Sequence, residues 1–285
     1  MHSKSSTLQR LRHGRLAQRV LLWILVGGVR IVGALPSRWV LHVADAIAAV
    51  CAVISGRSRR VADQNLRAVF GADFPASECR RIFAATWRSL TRSGLLLAHL
   101  QPLTPEKYRR WVDVDEDLER RPHVRRLVQE GGLIVSGHIG NWELLLALRV
   151  LYPHLPPTVF LAEAVPYLLI NEGLQRLRAH ADLHSALRRG GARAVARVVA
   201  AGGIAGLLVD RNVRCSQGGI WVPFLGLEAR TTPLAAWASV RYDKPINPVF
   251  CLPKHDGRYR LVVHEDITEG IADVAEAERV PVLMG

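Results

Sequence analysis

Apolar positions follow three rhythms along the chain. Two long apolar runs come first, VLLWILVGGVRIVGALP (20–36) and VLHVADAIAAVCAVIS (40–55). The pattern then turns helical. VADQNLRAVFG (61–71) has apolar residues at helical spacing and stops at a glycine, and FPASECRRIFAATWRSLTRSGLLLAHL (74–100) carries Pro75 near its start. Two polar connectors with some helix, LTPEKYRRWVDV and LERRPHVRRLVQEGG, lead to residue 131. From there short apolar runs alternate with longer amphipathic ones. LIVS (133–136), TVFLAEA (158–164) and IAGLLVD (204–210) read as strands; WELLLALRVLY (142–152), LLINEGLQRLRAHA (168–181) and GARAVARVVAAGG (191–203) read as helices, the last broken by its own glycines. TTPLAAWASVRYD (231–243) predicts a helix with Thr232 as N-cap and Pro233 at its first position. INPVFCL and RYRLVVHE read as strands joined by a hairpin at PKHDG.

Strands alternating with helices predict an α/β fold: a mixed, mostly parallel sheet covered by helices. A helical membrane anchor is expected before it, giving an anchor region over 1–60 and a single domain over 61–285. In open sheets of this class, sites gather beyond the carboxyl ends of the strands. His138 and Asp210 both fall there.

Charge sharpens the reading of the N-terminal part. The chain carries 38 Lys and Arg against 25 acids, a net +13. Residues 1–60 hold ten of the basic residues and one acid, Asp45, so +9 of the net charge sits in the first fifth. A basic end suits nucleic acid or an anionic membrane surface. The adjoining apolar runs favour the membrane, and no nucleic-acid-binding signature is present. The first run has Arg30 inside it and ends at Pro36, short of the ~20 apolar residues of a clean span. The expected anchor is one short or tilted span or an interfacial pair of helices, with the basic end toward the cytoplasm; the alternative is a buried helix pair in a soluble protein. The four cysteines are scattered, with no CxxC and no His/Cys cluster, so free structural thiols in a reducing compartment are expected and no metal. The glycine pairs never form GxGxxG or a Walker loop, so no nucleotide cofactor is expected.

The chemistry concentrates in SGHIGNWELL, residues 136–145. An imidazole is poised to accept a proton near neutral pH, and a carboxylate on its second nitrogen fixes the ring. His138 follows a strand, Glu143 opens the next helix, and Gly140 between them permits a tight turn. The pair reads as a general base and its orienting partner. No GxSxG elbow accompanies it, and Ser136 ends a strand without the elbow glycines. A dyad without a protein nucleophile suits direct activation of a substrate hydroxyl toward an acyl carbon. The bland reading also stands: a helix-opening acid, a hydrogen-bonded loop histidine, and Trp142, Leu144, Leu145 and Leu148 as plain core.

SGHIGNWELL resembles the GHxGNWE block of the bacterial lipid A biosynthesis acyltransferases, the lauroyl/myristoyl transferase family within the His-x4-Asp/Glu glycerolipid acyltransferases. Three further blocks follow the family's order. Residues 34–71 resemble its anchor and "R…NL…F" segment. GGIAGLLVDRN resembles its strand ending in Asp-Gln, with Asp210 at the Asp and Arg211 replacing the Gln. GGIWVPFLGLEARTTPLAAWAS resembles its "VxFFG…A.T…A.LA" block at Val222, Phe224, Gly226 and Thr231.

The resemblance implies an acyltransferase at the cytoplasmic face of the inner membrane, with His138 as base and Glu143 as its partner. It implies an acyl donor that is acyl carrier protein or acyl-coenzyme A, and a hydroxyl of a membrane glycolipid, such as a lipid A precursor, as acceptor. Gly140, Asn141, Trp142, Asp210, Arg211, Phe224, Gly226 and Thr231 are the expected substrate-binding residues, with amides of the 140–142 turn on the oxyanion. Asp210 reads equally as substrate-positioning or structural. Arg211 in place of the Gln is one departure, and two more stand out. Leu161 occupies the place of a family arginine, with Arg176 and Arg178 as the candidate substitutes. After VPVLMG there is no "P.QW.W.H.RW" block, so the domain reads as short at its C-terminus. Two alternatives stay open: a phosphatidylinositol-mannoside or lysophospholipid acyltransferase using acyl-coenzyme A, and a truncated, catalytically silent membrane-bound relative.

Overall fold

The computed structural model describes residues 27–28, 30–100, 103–162 and 184–284. The basic flank, residues 20–26 and 29 of the first apolar run, and the expected helix at 168–181, with Arg176 and Arg178, lie outside the described residues.

From Ser37 on, the described residues form α1 (Ser37–Ile54), α2 (Gly56–Phe70) and α3 (Ala76–His99). α1 buries Val40, Ala44 and Ala48, a stripe four residues apart that repeats every turn, and packs along α3. Small side chains on that stripe let the helices approach closely. Arg92 on α3 donates to both carboxylate oxygens of Asp45 on α1, at 2.7 and 2.6 Å. The other side of α1 exposes Trp39, Ile47, Val50, Val53 and Ile54. By length and composition alone α1 is apolar enough to cross a membrane, with mean hydropathy 1.6 over 18 residues.

A short α4 (Pro105–Trp111) follows, its start fixed by Thr104, whose Oγ1 accepts from the Lys107 amide, and by Pro105 at the first position. β1 (Val112–Asp113) and α5 (Pro122–Glu130) lead into the sheet. Its other strands are β2 (Gly132–Ser136), β3 (Thr158–Ala162), β4 (His184–Leu187), β5 (Ile204–Leu208), β8 (Ile246–Pro253) and β9 (Tyr259–Val263). The order is β1-β9-β8-β2-β5-β3-β4, and only the β8–β9 pair is antiparallel. The expected mixed, mostly parallel sheet is therefore present. β8 and β9 form the expected hairpin, closed at Gly257 with φ 82°. Two further strands, β6 (Ile220–Phe224) and β7 (Leu227–Thr231), form a separate antiparallel hairpin that the apolar pattern did not signal.

β2 sits mid-sheet between β8 and β5 and is buried on both faces, which explains its unbroken apolar run. The pleat sends Ile134 to one face, into a core with Leu96, Tyr108, Trp111, Leu144 and Leu261. It sends Leu133 to the other, with Val195, Val199, Leu207 and Ile246. Helices α7 (Arg188–Ala200) and α8 (Leu234–Tyr242) cover the second face. The expected helix at 142–152 is a 3-10 stretch, Trp142–Ala147, followed by one α turn, α6 (Leu148–Leu151). A final helix, α9 (Glu276–Met284), packs on α8. α8 starts one residue later than expected: Pro233 is its N-cap, and Thr232 Oγ1 accepts from the Leu234 amide at 3.3 Å.

Candidate active site

β2 and β5 run parallel in register, Gly132 with Ile204 through Ser136 with Leu208. The Val209 amide continues the ladder by donating to the Ser136 carbonyl. Residues just past the two strand ends therefore face each other, although 72 residues separate His138 from Asp210. His138 Nδ1 lies 2.8 Å from Asp210 Oδ1, and the His138 amide donates to Asp210 Oδ2 at 2.7 Å. One carboxylate thus holds both the ring and the backbone of the histidine. Gly137 makes room for it, since a Cβ there would lie 3.2 Å from Asp210 Oδ2.

This corrects the expected pairing. The carboxylate on Nδ1 of His138 belongs to Asp210, not to Glu143. The reason is local geometry. Glu143 lies in a 3-10 turn that begins at Trp142, and it is the Trp142 ring that packs edge-on to His138, 4.8 Å between centroids. Burial pushes the Asp210 carboxyl up, but the hydrogen bonds from the His138 ring and amide, with the charge attraction, outweigh it and hold the group below its ordinary range. With Nδ1–H donated to Asp210, Nε2 is the acceptor edge of the imidazole.

The turn between His138 and Trp142 is pinned from behind. The Asn141 amide donates to the Cys251 carbonyl at 2.9 Å, and Ser89 and Ser93 on α3 donate to the Gly140 carbonyl at 3.2 and 3.5 Å. Gly140 has φ 64°, and a Cβ there would sit 2.0 Å from the Cys251 oxygen, so only glycine fits. Asn141 is fully buried. Gly140 and Asn141 thus face α3 and β8 and do not line the site, and the Asn141 amide is committed to β8 rather than free for an oxyanion.

In front of His138 opens a cavity of about 1260 Å³. That exceeds the ~300–1,000 Å³ of most ligand pockets. Leu145, Phe160, Leu161, Leu207, Trp221 and Leu234 give it apolar walls, and Val280 and Met284 of α9 close one side. Its polar groups are few: His138, Glu143, Arg193, Arg211, Gln217, Thr232 and Ser136. The Ser136 hydroxyl is buried and has no hydrogen-bond partner among the described residues. Gly206 on the sheet floor gives way to Phe160, whose ring carbon would lie 2.3 Å from a Cβ there.

The other expected binding residues divide. Trp142 and Arg211 line the cavity with His138, while Asp210 stands behind His138 as its carboxylate partner. Thr231 Oγ1 donates to the Val209 carbonyl at 2.5 Å, tying β7 to the residue before Asp210. Phe224 and Gly226 sit at the exposed tip of the β6–β7 hairpin, away from the cavity wall. Ser136, Arg193 and Phe160 line the cavity and were not singled out from sequence as site residues; a hydroxyl ending a buried apolar strand just before His138 was the signal for the first. Among the described residues no group of three His, Cys, Asp or Glu could hold a metal ion.

A search among curated proteins gives no match. Residues 8–280 match the family model described as bacterial lipid A biosynthesis acyltransferase. The match spans nearly the whole chain, includes both halves of the His138–Asp210 pair, and shows that the chain belongs to the bacterial lipid A biosynthesis acyltransferase family.

Proposed function

We propose that the protein transfers a fatty acyl chain from a thioester carrier to a hydroxyl of a membrane glycolipid such as a lipid A precursor. The observation that carries this reading is the 2.8 Å His138–Asp210 contact at the edge of a large apolar cavity. His138 Nε2 takes the proton of the acceptor hydroxyl as its oxygen attacks the thioester carbon. The tetrahedral intermediate collapses, the carbon–sulfur bond breaks, and the imidazolium returns the proton to the leaving thiolate. Asp210 holds the tautomer and stabilises the imidazolium. No protein nucleophile is acylated.

The apolar cavity takes the acyl chain, which leaves water at about 0.8 kcal/mol per methylene. Arg193 and Arg211 meet the phosphates of carrier or lipid. The donor to the carbonyl oxygen as it gains charge is assigned to the Ser136 hydroxyl, a role supported by its lying on the cavity wall without a partner among the described residues. Glu143, on the cavity wall in the first turn after His138, is assigned to the acceptor headgroup, where a carboxylate accepts from sugar hydroxyls. Acyl carrier protein is the favoured donor, because an acidic carrier suits a chain of net charge +13; acyl-coenzyme A is the alternative. The location is the cytoplasmic side of the inner membrane, supported by the apolar helix α1 and by the basic residues 1–60.

Membranes carrying the chain, offered each donor with lipid A precursor and phosphoinositide-mannoside acceptors, test this by mass spectrometry of the lipid product. An acylated lipid A precursor is the expected product. An acylated mannoside alone would move the acceptor to the second class.

A further inference from the structure

We infer that the β6–β7 hairpin is a membrane-contact element that lays its apolar face on an anionic phospholipid surface, beside the mouth of the cavity. Side chains alternate between the two faces of a hairpin. The register pairs Val222 with Ala229 and Phe224 with Leu227 on one face, and Trp221 with Arg230 and Pro223 with Glu228 on the other. The first face is apolar from Phe224 and Leu227 back to Ile220, with Thr231 opposite Ile220 at the base, bonded to the Val209 carbonyl. Neither strand joins the main sheet, and Phe224, Leu225 and Leu227 are 57, 60 and 43% exposed. Apolar surface so concentrated at one loop tip marks an interaction site.

Two further observations select lipid as the occupant. The tip turns through Leu225 and Gly226, both at positive φ, 52 and 77°. A turn of this kind favours Asn or Asp before Gly, and a leucine there is strained and faces water. An apolar residue at that position gains only where the tip leaves water. Second, Arg230 stacks over the Trp221 ring at 4.1 Å. That pair lies three residues from the exposed Phe224 and Leu227, or about 10 Å at ~3.3 Å per residue. Interfacial elements bury roughly 5–10 Å into the headgroup boundary, with tryptophan and arginine at the polar level. Exposed Arg211 and Arg214 flank the base on a loop tied to β7 by the bond from the Val213 amide to the Arg230 carbonyl, adding positive charge toward anionic headgroups. Trp221, Val222 and Pro223 also line the cavity, so an apolar path runs from the hairpin to the space before His138.

The surface contact does not depend on acyl transfer; delivery of lipid along the hairpin into the cavity does rest on the function proposed above. The test uses the full chain with Cys51 and Cys215 replaced, because Cys79 and Cys251 are buried and burial pushes the Cys251 thiol up to about 12. An environment-sensitive fluorophore on Phe224→Cys is compared with one on His255→Cys in the β8–β9 turn. Vesicles of phosphatidylethanolamine with phosphatidylglycerol are expected to blue-shift the Phe224 label, expose it to chain-nitroxide lipids and protect it several-fold from iodide. The His255 label stays in water, and phosphatidylcholine vesicles give a weaker response. Leu225→Asp is expected to raise the KM for vesicle-presented acceptor roughly tenfold, the lower end for losing one buried leucine, and to leave turnover on detergent-dispersed acceptor unchanged. A Phe224 label that stays in water while the chain sediments with vesicles overturns the inference. So does a blue shift that appears without lipid and grows with protein concentration, which marks a second copy, or one that needs acyl carrier protein. The label reads the contact even if no acyl transfer is found.

Discussion

Replacing Asp210 by asparagine removes one negative charge and keeps the shape. In the protein this carboxylate meets the His138 ring at 2.8 Å and its amide at 2.7 Å. In the proposed reaction its main effect is on the imidazolium that forms as the acceptor hydroxyl is deprotonated. Two unit charges about 4 Å apart interact by roughly 4 kcal/mol at an effective dielectric of about 20. The side chains are 35 and 28% exposed, so water screens part of that. Halving it for screening leaves about 2 kcal/mol, or roughly 30-fold in rate, and the unscreened limit is about 10³-fold. Asp210→Asn is therefore expected to lower kcat by about 10²-fold, with KM for the acyl donor little changed. The assay is steady-state acyl transfer with a labelled donor, beside Glu143→Gln. A second readout is free of turnover: the downfield Nδ1–H proton resonance of His138 is lost in Asp210→Asn and kept in Glu143→Gln. If Asp210→Asn keeps full kcat while Glu143→Gln loses both rate and resonance, the carboxylate assignment is wrong.

Other expectations follow from the same contacts. The lowered Asp210 carboxyl contributes stability that is fully present above its ordinary value of 3.8 and is lost as pH falls through the lower folded value; acid titration of Tm should therefore be flatter below about pH 4 in Asp210→Asn than in the parent. Gly140→Ala forces a Cβ to 2.0 Å from the Cys251 carbonyl oxygen at φ 64°, and a drop in stability of about 3 kcal/mol by denaturant unfolding is expected. Gly206→Ala pushes the Phe160 ring off the cavity floor, so competition between acyl donors should shift toward shorter chains. Arg92→Ala leaves Asp45 with the longer Arg88 contact, at 3.9 Å, across α1 and α3; because the side chains are partly exposed, a loss of only about 1 kcal/mol is expected in thermal unfolding.

The parts of this site that were legible in the sequence are those that depend on neighbours in the chain. β2 and β5 read as strands because burial on both faces leaves short unbroken apolar runs. His138 and Asp210 were placed at strand ends for the same reason. Their pairing was not legible, because it depends on β5 lying beside β2 while β3 and β4 are formed in between. Spacing alone favoured Glu143, the nearest carboxylate, and the 3-10 geometry of WELLLA, which apolar periodicity does not distinguish from an α-helix, directs Trp142 to the His138 ring instead. The β6–β7 hairpin was missed for a similar reason. Its strand carries Pro223 and its turn is Leu-Gly rather than Asn-Gly, so neither propensity nor turn chemistry announces it. Asn141 looked available for an oxyanion until β8, more than a hundred residues later, was seen to take its amide.

Acyl transfer by this chain is proposed to run with His138 as base and Asp210 behind it. The most direct measurement is acyl transfer by purified, vesicle-reconstituted protein from acyl carrier protein to lipid A precursor, run in parallel with His138→Ala of matched folding. Acylated lipid is expected from the parent chain, and at least ~10²-fold less from the variant. Product formed at the same rate by both would contradict it, as would no product from the folded parent with any thioester donor.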